Sequence, residues 1–239
     1  MRVAFISDIH GNAHALDAVL DDIRSKSVDK IVVLGDIAYR GPEPKRAIEL
    51  IRNLNTTVIK GNADEWVTRG IKKGEVPDEA LALMTKEREW TVSQLDQEDL
   101  NYLSNLPEET RFDMEGVRVH AFHATPTSLF DVVLPNTDDE TIKTKLMTEK
   151  DADLYLYGHI HTAYVRPING KTIINLGSVG LPFDGHAKAS YALVTITEGY
   201  ASTSIEKVSY DLQKTIAMYD EVNYPNAKMM QNIVRNGSL

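Results

Sequence analysis

The chain has 239 residues, 42% hydrophobic and 26% charged, a formal net charge of −9 and no cysteine. That length and balance suit a globular protein with a substantial core, and the missing cysteine excludes disulfides, thiolate zinc sites and cysteine nucleophiles. The acidic balance argues against a duplex nucleic-acid binder, which needs a basic face; Lys72-Lys73 and Lys143/Lys145 are short solvated groups.

No apolar run approaches the ~20 residues of a membrane span, and the chain opens on a core strand rather than a signal sequence. A cytoplasmic location and no membrane partner are therefore expected. An acidic protein still handles anionic substrates when metal ions supply positive charge.

The opening Arg2–Ser7 contains an apolar run, residues 3–6, short enough for a buried parallel strand, and Gly11-Asn12 punctuates its end. Ala13 to about Ser25 follows as a helix, with Ala15, Leu16, Val19, Leu20 and Ile23 on one face. Ile31–Leu34 is a second buried strand closed by Gly35-Asp36. Pro44 suits a first helical turn, and Ala47, Ile48, Leu50, Ile51 and Leu54 continue that helix's apolar face. Thr56–Lys60 is a third strand, ending in Gly61-Asn62. This β-α-β-α-β order, with right-handed crossovers, makes the three strands parallel and puts their carboxyl ends on one edge. In open α/β sheets, sites gather there.

Residues 64–106 read as helical, with Glu79–Leu95 and Gln97–Leu106 the longer pieces; a lid and a packing insertion are both open. Met114–Val117 is a hairpin turn between Thr110–Asp113 and Arg118–Phe122, with His123 next. A helix spans Asp138–Thr148, and strand Leu154–Tyr157 runs into Gly158-His159-Ile160-His161. Asn169-Gly170 is a strong hairpin signal joining strands near Tyr164–Ile168 and Thr172–Asn175. Strands Tyr191–Thr197 and Thr203–Val208 follow, then helices from about Leu212 and Ala227. With no linker or repeat, residues 1–239 are read as one domain, its second half rich in antiparallel strands.

Strand ends carry Asp8 and His10, Asp36, Asn62, His123, and His159 with His161. Singly each has an ordinary use: Asp8 or Asn62 as a helix cap, Asp36 in a turn, His123 as a hydrogen-bonded core histidine. His159 and His161 alternate, so within a strand they would share one face. Together, five strand ends supply seven nitrogen and oxygen donors without a thiolate. That set suits two divalent ions, manganese first, with iron, zinc or nickel also compatible. Two ions about 3.5–4 Å apart are an apparatus for displacement at phosphorus.

The motifs Asp8-x-His10, Gly35-Asp36, Gly61-Asn62, His123 and Gly158-His159-x-His161 resemble, in order, those of calcineurin-like metallophosphoesterases. The stretch Asn175–Pro182 resembles a glycine-rich loop of their bacterial phosphodiesterase-like branch. The resemblance implies an α/β fold, a four-layer αββα sandwich of two mixed sheets flanked by helices. It implies one metal on Asp8, His10 and His161, the other on Asn62, His123 and His159, and Asp36 bridging. It also implies in-line attack by a metal-bridging hydroxide, the ions lowering the water pKa from 15.7 toward about 7. Ser7 and Ser178 lack the context of a nucleophile and are read as strand-end or turn residues.

Two positions depart from the family pattern. Many relatives follow Gly-Asn with a histidine that protonates the leaving oxygen, and an acid that orients it. Here the run is Gly61-Asn62-Ala63-Asp64, so Asp64 is left as a cap for the next helix. Loss of a general acid costs on the order of 10²–10⁴-fold when an alkoxide must leave. A departing phosphate, with a second pKa near ~6, scarcely needs the proton. His14 and His186 are the other histidines to consider as donors, His14 with a surface or helix-face role as the better reading.

Superfamily members with Gly-Asp-x-x-Asp-Arg-Gly use the arginine to clamp phosphate. Here Tyr39 replaces the second Asp while Arg40 stays in register; a phosphate clamp and an exposed loop cation are equal readings.

The expectation is a hydrolase of a small phosphorylated substrate, a nucleotide first, with Asp36, Asn62 and Arg40 as catalytic residues and Arg40 and Asn62 binding substrate. A dinucleoside polyphosphate is the first specific substrate, a cyclic or simple phosphodiester the second and a phosphoprotein (Ser/Thr) the third. A non-catalytic interaction scaffold is the alternative class, although all seven candidate ligands are intact. A Rossmann-type nucleotide binder fits less well, because Gly11 has no Gly-x-Gly-x-x-Gly run around it.

Overall fold

In the computed structural model, which describes residues 1–148 and 152–238, strand β1 (Arg2–Ile6) is buried from Val3 onward. Val3 and Phe5 face one core, Ala4 and Ile6 another. That period of two with both faces apolar is the signature of a strand covered on both sides. Helix α1 (Ala13–Ser25) begins where the Asn12 side chain accepts the Ala15 N–H at 3.1 Å. Strand β2 (Lys30–Val33), helix α2 (Pro44–Asn53) and strand β3 (Thr57–Val58) complete a parallel β1-β2-β3 set.

The third strand is shorter than the sequence suggests. The Lys60 N–H donates to Pro107 O at 2.7 Å instead of continuing the ladder with β2. The chain then forms α3 (Asn62–Arg69), α4 (Asp78–Ser93) and α5 (Gln97–Ser104). Met84, Val92, Leu95 and Leu100 from this segment pack on the core between the first sheet and its helices.

The second sheet starts with the hairpin β4 (Glu109–Met114) and β5 (Val117–Phe122). It continues through α6 (Asp139–Leu146), β6 (Leu154–Tyr157), β7 (Tyr164–Ile168) and β8 (Lys171–Asn175). Asn169 and Gly170 turn the β7–β8 hairpin with φ of 50° and 75°, the left-handed pair that Asn-Gly supplies at low cost. Strands β9 (Ala189–Thr197) and β10 (Tyr200–Val208) return to the first sheet, followed by α7 (Leu212–Glu221) and α8 (Ala227–Asn236).

The sheets run β10-β9-β1-β2-β3 and β4-β5-β6-β8-β7. Val3, Phe5, Val32 and Leu34 of the first meet Val119, Leu154, Leu156 and Ile174 of the second. The outer faces are covered by α1–α3 on one side and α6 on the other. This is the four-layer αββα sandwich expected from the sequence. β1, β2 and β3 in one sheet and β5, β6 and β8 in the other are parallel within their sheets. The loops after β1, β2, β3, β5 and β6 converge on one rim of the sandwich.

Candidate metal centre

All seven predicted donors meet at that rim. Asp8 and His10 follow β1, Asp36 follows β2, Asn62 opens α3 after β3, His123 follows β5, and His159 and His161 follow β6. Asp8, His10, Asp36, His159 and His161 have φ between 47° and 68°. Left-handed backbone costs a non-glycine residue about 1–2 kcal/mol, and such strain concentrates at sites where surrounding contacts enforce it. His159 and His161 therefore lie beyond the strand and point to different partners, not to one strand face.

The donors fall into two joined groups. One ligand atom each from Asp8, His10, Asp36 and His161 lies within 4.8 Å of the others. His10 Nε2 is 3.1 Å from His161 Nε2, and His161 Nε2 is 3.2 Å from Asp8 Oδ1. In the second group Asn62 Oδ1 lies 2.9 Å from His123 Nε2 and 2.7 Å from His159 Nδ1. Asp36 touches both, with Oδ2 3.5 Å from His10 Nε2 and Oδ1 3.5 Å from His123 Nε2.

The tautomers test whether metal ions fit. His10, His123 and His161 each donate Nδ1–H to a backbone carbonyl: Tyr39 O at 2.8 Å, Leu34 O at 2.7 Å and Leu181 O at 2.5 Å. In the neutral ring that leaves each Nε2 lone pair facing inward. Two such lone pairs 3.1 Å apart beside buried carboxylates repel unless a cation or proton lies between them. Ligating histidines are typically anchored this way by their outer nitrogen, so the donor set fits divalent ions.

Charge in the cluster is correspondingly redistributed. Burial opposes it, yet the Asp36 and Asp8 carboxylates push the His123 imidazole up to about 9. Burial and the neighbouring His161 push His10 down to about 4; burial and His123 do the same to His159. Against the cost of burial, His161 and His123 hold Asp8 below the usual carboxylate range, and His123 and His10 hold Asp36 below it.

Backbone contacts fix this geometry. The glycine-rich loop after β8 delivers Val179 N–H to Ser7 O at 3.0 Å, Gly180 N–H to Asp8 O at 2.9 Å and the Ser178 hydroxyl to Asp8 O at 2.7 Å. It also carries the Leu181 carbonyl that orients His161. Ser7 donates to Leu34 O, so both serines are structural, as their context implied. Asp64 does cap α3 through the Gly61 N–H at 2.9 Å, but its carboxylate also accepts Asp36 N–H at 2.8 Å and Ile37 N–H at 2.9 Å. Asp8 and Asn62 are not helix caps; Asn12 and Gly61 hold those places.

A cleft of about 160 Å³ opens over the cluster, lined by Tyr39, Arg40, Ala63, Trp66, Met84, Leu181 and Phe183 besides the donors His10, Asp36, Asn62, His159 and His161. A hollow of about 660 Å³ lies elsewhere, where β2 and β3 begin, and touches none of them. Phe183 stacks on His161, ring centroids 4.3 Å apart. Arg40 lines the cleft with its Nε 3.7 Å from Glu87 Oε2 of α4. His14 pairs with Glu43 at 2.5 Å and the exposed His186 lies beside Asp184; neither lines the cleft. Sequence reasoning missed Glu87, Phe183 and the three anchoring carbonyls. Only the glycine-rich loop gave any sign of the last.

Residues 1–199 match the profile of the calcineurin-like phosphoesterase superfamily domain. An uncharacterized protein of Methanocaldococcus jannaschii is 33% identical, the match covering 89% of each chain. A metallophosphoesterase from Sphaerobacter thermophilus superposes with a TM-score of 0.80 at 28% identity over 99% of both chains. A symmetrical bis(5'-nucleosyl)-tetraphosphatase of Baumannia cicadellinicola is 31% identical over 91 residues, 36% of this chain and 32% of that protein. With its donors gathered at one rim of the sandwich and its sequence matching over most of its length, the chain belongs to the calcineurin-like phosphoesterase superfamily.

Proposed function

We propose that the protein is a two-metal hydrolase of phosphoanhydrides or of phosphodiesters with a weakly basic leaving group, and that dinucleoside polyphosphates are its first substrate class. Asp8, His10 and His161 would hold one ion, Asn62, His123 and His159 the other, with Asp36 shared. Manganese is the first metal proposed. When bound, such ions lower the pKa of water and neutralise charge on the phosphoryl oxygens.

The observation that carries the leaving-group reading is the lining of the cleft. Ala63 occupies the usual position of the proton donor. Apart from the candidate ligands, the polar side chains there are poor acids. Tyr39 donates to Met84 O at 2.8 Å, and burial pushes its phenol far above the ordinary value near 10. The Arg40 guanidinium serves as a hydrogen-bond donor, not as a proton source. Trp66 donates its indole N–H to Glu75. The leaving group must therefore depart without a proton from these side chains, which favours phosphate over alkoxide and disfavours phosphoserine.

The chain's remaining roles follow from position. Arg40 binds a phosphoryl oxygen, Asn62 orients the phosphoryl group, and Trp66 and Phe183 keep water from the cleft walls. The partial similarity to a tetraphosphatase supports the nucleotide assignment, and a cytoplasmic nucleotide pool is the proposed setting.

Turnover of diadenosine tetraphosphate, bis-p-nitrophenyl phosphate and a phosphoserine peptide with Mn²⁺ tests the reading. Hydrolysis of the first two is expected. Failure on both alongside hydrolysis of the peptide would overturn it.

A further inference from the structure

Partly buried Arg40 and fully buried Glu87 form a pair that the metal cluster does not use. Glu87 is fully buried on α4, and its Oε2 and the Arg40 Nε are both buried without a hydrogen-bond partner, 3.7 Å apart. Each is braced from behind. The Tyr219 hydroxyl of α7 donates to Arg40 O at 2.9 Å, and Asn226, preceding α8, donates to Glu87 Oε1 at 3.2 Å. Tyr39, next to Arg40, donates to Met84 O one helical turn before Glu87. The Arg40 backbone is itself left-handed, with φ of 73°.

We infer that Glu87 is a positioning residue for Arg40. It faces the Nε edge of the guanidinium and leaves the terminal nitrogens for an oxyanion of phosphate type in the cleft. An arginine presents five donors on a rigid plane, so one edge can face a carboxylate while the other takes a phosphoryl oxygen. A separation beyond hydrogen-bonding distance orients the cation through charge without consuming its donors. Residues 64–106 then act as a fixed brace that supplies a substrate-orienting charge. The identity of the anion rests on the phosphoesterase reading; the pairing rests on the geometry.

The test is calorimetric binding of inorganic phosphate to the Mn²⁺-loaded protein, with KM and kcat for bis-p-nitrophenyl phosphate measured in parallel. Glu87→Gln should weaken phosphate binding and raise KM by about 3–10-fold with little change in kcat, a coupling typical of neighbouring residues. Glu87→Asp should recover part of the loss. Arg40→Ala should weaken binding further, and Glu87→Gln should add nothing in that background. Phosphate binding that is indifferent to Glu87→Gln, additive losses in the double variant, or a fall in kcat and melting temperature at constant KM would each overturn the assignment. No phosphate binding by the parent protein would overturn it too. Phosphate binding that depends on both residues in a protein that hydrolyses none of the three substrates would support the pairing and sink the proposed function instead.

Discussion

The Asp64 carboxylate accepts the backbone N–H of Asp36 at 2.8 Å, so one buried acid fixes the peptide that aims the other. With the Ile37 and Gly61 N–H groups also on Asp64, the loops after β2 and β3 are tied together. Burial and the Asp36 charge push Asp64 up to about 7 although the Gly61 and Ile37 N–H groups favour its ionised form. Asp64→Asn cannot satisfy all three donors, because its amide nitrogen faces one of them. An unsatisfied buried donor costs about 1–3 kcal/mol. Thermal unfolding should show a loss of that size, with weakened Mn²⁺ binding because Asp36 loses its support.

Asp36 contacts both donor groups through different oxygens. Asp36→Asn replaces one inward oxygen with a donor nitrogen that cannot bind a cation. Divalent-ion affinity should fall by more than the ~10–100-fold that follows loss of an outer hydrogen-bond partner. Equilibrium dialysis with Mn²⁺ measures it, and unchanged stoichiometry and affinity would contradict the bridging role.

The metal-free protein should lose stability as pH rises from 6.5 to 9. His123 is held at about 9 in the fold against 6.5 when unfolded. Its contribution is complete below pH 6.5 and disappears as pH passes 9, because the folded state binds the extra proton in between. The loss should reach a few kcal/mol, at about 1.4 kcal/mol per pKa unit. Chelated protein unfolded in urea at several pH values provides the measurement. With Mn²⁺ the slope should reverse, since metal binding releases protons.

The strand order and the donor set were legible because each depends on a local pattern: a short apolar run, then Gly or Ser beside a polar residue. The apolar run Leu154–Tyr157 predicted β6 with the ends observed, and the Asn169-Gly170 turn signal placed the β7–β8 hairpin. The third strand was overdrawn at Thr56–Lys60 because its end is set by Pro107, nearly fifty residues away in sequence. The same limit explains Glu87: nothing in its helix distinguishes it from a surface acid until the fold places it against Arg40. The anchoring carbonyls of Leu34, Tyr39 and Leu181 leave no trace in residue identity, since every residue has one. Asp64 was read as a helix cap, which it is; its second role needed the loop after β2 to be brought beside it.

Ala63 offers the most direct test of the leaving-group argument. It lines the cleft beside Asn62, its N–H donating to Asp36 Oδ1 at 2.8 Å, and Trp66 and Met84 line the same cleft. Ala63→His would place a protonatable ring at the position where many relatives carry their donor. If the parent protein is limited by an unassisted alkoxide, the variant should hydrolyse an alkyl phosphodiester faster by on the order of 10²-fold, the lower end of general-acid effects. Diadenosine tetraphosphate, whose leaving group needs no proton, should change little. Because residue 63 is almost fully buried, Met84→Ala in the same chain makes room for the ring and separates a steric failure from a chemical one. Equal acceleration of both substrates, or of neither once room is made, would show that proton supply does not set this protein's choice of substrate.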